Sequence, residues 1–144
     1  MSPLVSIIMG STSDLPVMEK ACQFFEEMEI PFEVNALSAH RTPAEVSDFA
    51  RNAQGRGIKV IIAGAGMAAA LPGVIAAETP LPVIGVPIKG SVLEGLDATF
   101  AIMQMLALGG DAMMQKLIAY KSGLKKKIVK ANEELSQLQY RFKC

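Results

Sequence analysis

The chain has 144 residues, 51% of them hydrophobic, with 14 basic and 14 acidic side chains and no formal net charge. That length fits one domain and that apolar share builds a core, which excludes a disordered chain. The charge balance argues against a nucleic-acid or anionic-membrane partner, and no apolar run reaches the ~20 residues of a membrane span.

The N-terminus carries no charged segment followed by a cleavage site, so no signal peptide is expected and the cytoplasm is the expected compartment. Cys22 and Cys144 lack metal-ligand spacing, and with a single histidine no structural zinc site is expected. Cys22 falls on a helical pattern and reads as a small buried hydrophobe.

Residues 4–9, Leu-Val-Ser-Ile-Ile-Met, form a nearly continuous apolar run, as in a strand buried on both faces. The loop Gly10-Ser-Thr-Ser-Asp14 follows, then a helix over 15–29 with Val17, Ala21, Phe24, Phe25 and Met28 on one face. A second strand over 32–37 delivers Ser38-Ala-His-Arg-Thr-Pro43, which holds the one histidine of the chain. A helix over 42–56 follows, with Val46, Phe49, Ala50 and Ala53 as its inner stripe and Gly55 and Gly57 at its end. Thr42 as N-cap, Pro43 at N1 and Glu45 at N3 predict a capping box.

The third strand spans 59–63, and the small-residue run 64–73 leads into a helix ending at Glu78. Residues 83–87 make a fourth strand. Strands alternating with helices predict a parallel α/β sheet with right-handed crossovers. Residues 90–98 read as a loop or short helix and 99–108 as an apolar helix. From Asp111 one long helix runs with a stripe at Met113, Leu117, Tyr120, Leu124, Ile128, Ala131, Leu135 and Leu138. A stripe that long predicts packing on a neighbouring subunit, and Lys125-Lys126-Lys127 reads as a solvated face.

In a parallel sheet, ligands bind outside the carboxyl ends of the strands where the strand order reverses. With order 2-1-3-4, the loops at 10–14, 38–42 and 64–73 converge there. Histidine near neutral pKa carries protons and arginine presents a planar fork to phosphate or carboxylate. His40 beside Arg41, at a strand-to-helix junction, therefore reads as a proton carrier next to an anion grip. In the first loop Ser11 and Ser13 suit phosphate oxygens and Asp14 suits sugar hydroxyls; Ser13 or Asp14 equally suits a helix cap. The third loop permits a flat ring against the backbone, or close helix–strand packing. Neither a P-loop nor a dinucleotide fingerprint is present.

Together Met9-Gly-Ser-Thr-Ser-Asp14, Ser38-Ala-His-Arg-Thr-Pro43, Ile61-Ile-Ala-Gly-Ala-Gly66 and Leu81-Pro-Val-Ile-Gly-Val-Pro87 resemble the signatures of the PurE family, the N5-carboxyaminoimidazole ribonucleotide mutases of purine biosynthesis. The resemblance implies a three-layer flavodoxin-like fold, order 2-1-3-4(-5), in one domain: a core over 1–98 and C-terminal helices over 99–144. It implies a homo-octamer, a ribonucleotide substrate and neither metal nor organic cofactor. Ser11, Ser38 and Arg41 would hold the 5′-phosphate and Asp14 the ribose hydroxyls, with Ser13 and Ala39 also among the substrate-binding residues. Ala65, Gly66 and Leu71 would line the imidazole and carboxylate pocket, and His40 would be the acid/base. The sister activity, CO2-dependent carboxylation of aminoimidazole ribonucleotide, and a non-catalytic ribonucleotide-binding module are the alternatives.

The chain departs from the family twice. Ala70 stands where the family usually has a second histidine, which leaves His40 as the one imidazole available. Between Ala98 and Thr99 the family's further helix, turn and fifth strand are missing. A skipped segment is expected there, leaving the outer edge of the fourth strand uncovered.

Overall fold

A computed structural model describes residues 1–66, 69–89 and 108–144. The readings at 90–98 and 99–107, and the skipped segment expected between Ala98 and Thr99, lie outside the described residues. Four strands, β1 (Val5–Met9), β2 (Phe32–Ala36), β3 (Val60–Ala65) and β4 (Val83–Pro87), form one parallel sheet in the order β2-β1-β3-β4. The helices are α1 (Leu15–Glu27), α2 (Pro43–Ala53), α3 (Leu71–Glu78) and α4 (Asp111–Ser136), with a 3-10 turn at Thr12–Asp14 before α1.

The period-2 alternation of the strands divides the core into two layers. Val5, Ile7 and Met9 of β1 pack with Met18 and Cys22 of α1 and with Ile128, Ala131 and Leu135 of α4. Ile8, one residue out of phase, packs on the other face with Val46, Ala50 and Ala53 of α2 and Leu71 and Ile75 of α3. Burial pushes the Cys22 thiol up to about 11, as befits a side chain that serves as packing.

Helix α1 stops short of the expected end. Glu29 turns left-handed (φ 56°), and Ile30 N–H returns to Phe25 O at 2.9 Å. After α2 the chain turns at Gly57, whose φ of 96° is open to glycine at little cost.

The capping box does not form. The Thr42 hydroxyl makes no cap bond to its own helix. It accepts from Ser38 N–H at 3.0 Å and donates to Ser38 O at 3.2 Å. Glu45, freed from that role, pairs with Lys125 of α4 at 2.6 Å. The hydroxyl therefore tightens the histidine loop, and the backbone groups of that loop win the competition for it.

The stripe of α4 is largely buried within the chain itself, whereas its pattern alone left it for a neighbouring subunit. Leu117, Leu124, Ile128, Ala131 and Leu135 are all buried. The helix lies along the free margin of β2, where Asn132 replaces a missing strand: Ala36 N–H donates to Asn132 Oδ1 at 2.6 Å and Asn132 Nδ2 donates to Ala36 O at 3.0 Å. The tail finishes the job. Phe32 N–H donates to Phe142 O at 3.0 Å and Cys144 N–H donates to Phe32 O at 2.7 Å. Glu26 accepts from Arg141 N–H at 2.6 Å and Phe142 N–H at 2.8 Å.

At the opposite margin β4 pairs only with β3 among the described residues, and Ile84 is 53% exposed. Beneath the sheet Glu33, 9% exposed, accepts from Ser6 Oγ at 2.8 Å and pairs with Arg56, which lies over the Phe49 ring. Glu33→Ala is expected to lower unfolding stability by about 1–3 kcal/mol, read by denaturant titration, because a buried hydroxyl loses its acceptor.

Candidate active site

Register puts the three loops at one level. Met9 stands opposite Ala36 on one side and Gly64 on the other, so β1, β2 and β3 release the chain at the same edge of the sheet. Gly64 is closely packed: a Cβ there would lie 2.6 Å from Met18 Sδ and 2.9 Å from Ile88 Cδ1, so the ends of those two side chains would have to shift. Between β1 and β3 the order reverses, which opens the crevice that α/β sheets use for ligands.

Arg41 ties the first two loops together. Its Nη2 donates to Gly10 O at 2.7 Å, and its Nε and backbone N–H donate to Ser38 Oγ at 3.3 and 3.2 Å. Ser38 is 7% exposed, so its hydroxyl orients the arginine from below. The Asp14 carboxyl lies near the backbone N–H groups of Gly10 and Ser11 and the Arg41 charge, all of which favour its ionised form. Ser11 and Ser13 hydrogen-bond to each other through their hydroxyls. Burial pushes the Asp14 carboxyl above the usual aspartate range, against the pull of those N–H groups and of Arg41. Burial likewise lowers Arg41, opposed by Asp14 and by the Tyr120 phenol.

The sign for Asp14 follows. A raised folded-state pKa means that the ionised carboxylate penalises the fold above the unfolded value of 3.8, and that the penalty vanishes below it. Asp14→Asn is therefore expected to raise the thermal midpoint slightly at pH 7, with the gain gone below pH 3.8, as read by calorimetry across pH. The same variant is expected to bind ribose 5-phosphate more weakly.

His40 is exposed and makes no hydrogen bond among the described residues. It stands at the rim, next to Arg41, with its ring free to meet a ligand. Ala39 packs against the α2 side of the core. In the third loop Ala65 and Leu71 belong to that same buried layer, Leu71 at 4% exposure, so their side chains pack into the α2 side of the core. Gly66 is half-buried, and Ala69 turns back on it with N–H to Gly66 O at 2.9 Å and a left-handed φ of 49°. The structure thus joins Ser11, Ser13, Asp14, Ser38 and Arg41 in one polar corner. His40 stands beside it, and Ala65, Gly66 and Leu71 lie at and after the end of the neighbouring strand β3.

Among the described residues no three His, Cys, Asp or Glu side chains converge as a metal site, and no helix is long and apolar enough to cross a membrane. Tyr120, read in the sequence as part of a packing stripe, is 42% exposed.

A family model described as AIR carboxylase matches residues 4–127. The chain belongs to the AIR carboxylase family. Among its relatives, the N5-carboxyaminoimidazole ribonucleotide mutase of Thermotoga maritima is 42% identical over 163 aligned residues, taking in 96% of this chain and 95% of that protein. The protein of the same name from Pyrococcus horikoshii is 59% identical over 103 residues, 72% of this chain and 58% of the relative. The phosphoribosylaminoimidazole carboxylase of Saccharomyces cerevisiae is 62% identical over 103 residues, but this family member spans only 18% of its length. The crystal structure of Treponema denticola PurE2-S38D shares the fold at a TM-score of 0.57 and 21% identity, over 95% of this chain and 100% of that one.

Since 96% of 144 residues is about 138, the 163-position alignment leaves about 25 positions of the Thermotoga protein without a counterpart here. That deficit is the size of a turn and strand with part of a helix.

Proposed function

We propose that the protein is a mutase converting N5-carboxyaminoimidazole ribonucleotide to 4-carboxy-5-aminoimidazole ribonucleotide in de novo purine biosynthesis. The observation that carries this reading is the Arg41 tie: one guanidinium, seated on Gly10 O and Ser38 Oγ, makes a cationic corner beside an unengaged imidazole. The mutase relative aligned over 96% of the chain supplies the reaction class.

The chemistry suits these groups. The N–CO2 bond of the carbamate breaks, leaving CO2 in the crevice and electrons on the exocyclic nitrogen. The ring carbon attacks that CO2, forming the new C–C bond. The proton lost from the ring carbon balances the one gained by the nitrogen, and His40 is the group that carries it. The phosphate is assigned to Arg41 with Ser11, Ser13 and Ser38 and the backbone at Ala39, and the ribose to Asp14. The ring and its carboxylate are assigned to Ala65, Gly66 and Leu71. Holding CO2 beside the ring is an entropic gain that needs walls more than charges. No cofactor enters this scheme. A cytoplasmic homo-octamer is part of the same reading.

Incubating the purified chain with the N5-carboxy nucleotide tests it; appearance of the C4-carboxy isomer without added bicarbonate is the expected result. The carboxylase reading is favoured by the names of the yeast relatives and by Ala70 in place of the second histidine. Turnover that starts from the uncarboxylated nucleotide and requires bicarbonate would select it. Binding without turnover in either assay would leave a ribonucleotide-binding module.

A further inference from the structure

Thr42 stands at the N-cap of α2 and spends its hydroxyl elsewhere. The residue is buried, at 3% exposure, and makes no side-chain bond to its helix. Its Oγ1 accepts from Ser38 N–H at 3.0 Å and donates to Ser38 O at 3.2 Å, and the Thr42 N–H reaches the same carbonyl at 2.8 Å. One residue therefore holds both backbone polar groups of Ser38. The side chain of Ser38 serves the next residue in the line: its Oγ accepts from Arg41 N–H at 3.2 Å and from Arg41 Nε at 3.3 Å. At the far end of the arginine, Nη2 donates to Gly10 O at 2.7 Å. A continuous line of hydrogen bonds thus runs from the buried Thr42 hydroxyl through Ser38 to the guanidinium, and on to the first loop. His40 lies within the turn that this line closes.

We propose that Thr42 is a positioning residue for the phosphate end of the site: its hydroxyl fixes Ser38, and Ser38 fixes the Arg41 fork. A hydroxyl gives and accepts a hydrogen bond at once, so it can serve the N–H and the C=O of one residue together. An apolar group of the same shape would leave Ser38 N–H buried without that acceptor, and the turn would have to open to find another. Ser38 Oγ would then move, and Arg41 would lose its rest on the β2 side. The fork matters because a guanidinium immobilised before binding loses less freedom when phosphate arrives. The arrangement has a cost at α2, whose first turn goes without a side-chain cap. A threonine kept only for helix stability would make the opposite choice. The inference rests on the ribonucleotide reading given above only for the identity of the anion.

The test is titration of ribose 5-phosphate into the full chain, carrying Thr42→Val, Thr42→Ala or Thr42→Ser, each in the unmodified background and beside Arg41→Met. Every titration is run well below the thermal midpoint of its variant, so that lost stability does not pass for lost affinity. Thr42→Val keeps the shape and removes the oxygen; Thr42→Ala removes it with less risk of strain. Both are expected to bind about three- to ten-fold more weakly, the cost of immobilising one long side chain at the moment of binding. Thr42→Ser keeps the oxygen and restores the affinity. Beside Arg41→Met, losing the Thr42 hydroxyl costs no further affinity, because the group it acts through is gone. Where turnover is measurable, KM rises and kcat holds. Equal affinities for the unmodified protein and the two variants without the hydroxyl would overturn the proposal. So would a Thr42→Ser protein as weak as Thr42→Val, or a fall of the same size beside Arg41→Met. A chain that binds ribose 5-phosphate in this Thr42-dependent way yet never isomerises the nucleotide would sink the mutase reading and leave this one standing.

Discussion

Replacing His40 by asparagine is expected to lower mutase turnover by about 10²–10⁴-fold while leaving ribonucleotide affinity within a few-fold. The substitution is clean because the imidazole is exposed and holds no hydrogen bond among the described residues. The thermal midpoint should stay where it is. Asparagine keeps a polar group of similar reach and removes the capacity to take a proton at one moment and return it at another. With Ala70 where the family usually has a histidine, no second imidazole can substitute, so the loss should not be rescued by shifting pH. Steady-state conversion of the N5-carboxy nucleotide, with binding measured separately, reads the result. Turnover retained within ten-fold would remove His40 from the proton-carrying role.

Arg41→Met produces the opposite pattern. Affinity falls first, by about 3 kcal/mol or roughly a hundred-fold in KM, because charge-assisted hydrogen bonds to phosphate are lost. Stability falls as well. Gly10 O and Ser38 Oγ lose a donor, and Asp14, half-buried, loses the cation that faces it. Arg41→Lys should lie between the two: the charge survives, but one ammonium cannot replace a planar fork that reaches Gly10 O and Ser38 Oγ at once. Titration of ribose 5-phosphate and a denaturation curve for each variant separate the ligand effect from the structural one. If Arg41→Met bound as tightly as the unmodified chain, the phosphate would have to lie elsewhere.

The sheet was legible from short-range pattern. Residues such as Ile7 and Ile8 are both apolar because the two faces of β1 are both covered, and that signature needs no knowledge of the partners. The order 2-1-3-4 came from the family resemblance and not from local pattern, and it brings the three loops together. The fate of individual polar side chains was not legible. Thr42 carries the residue type of a helix cap, but whether its hydroxyl serves α2 or Ser38 is settled by the geometry of a loop. Glu45 looked complete within its own helix until Lys125 arrived from 80 residues away in the chain. The stripe of α4 showed that the helix must pack and said nothing of where. Asn132, a polar residue flanking that stripe, was the hidden cue: an amide there can bond a strand's N–H and C=O together.

The two margins of the sheet are unequal in kind. On the β2 side the amide of Asn132 and the closing residues of the tail take the backbone groups of Ala36 and Phe32, so a further strand would have to displace them. On the β4 side Val83–Pro87 remains open among the described residues. Among the described residues, strand addition therefore meets less obstruction at β4 than at β2. Two β4 margins meeting about a two-fold axis would satisfy each other, with the obstructed β2 margins facing outward, an arrangement that disfavours growth into a fibril.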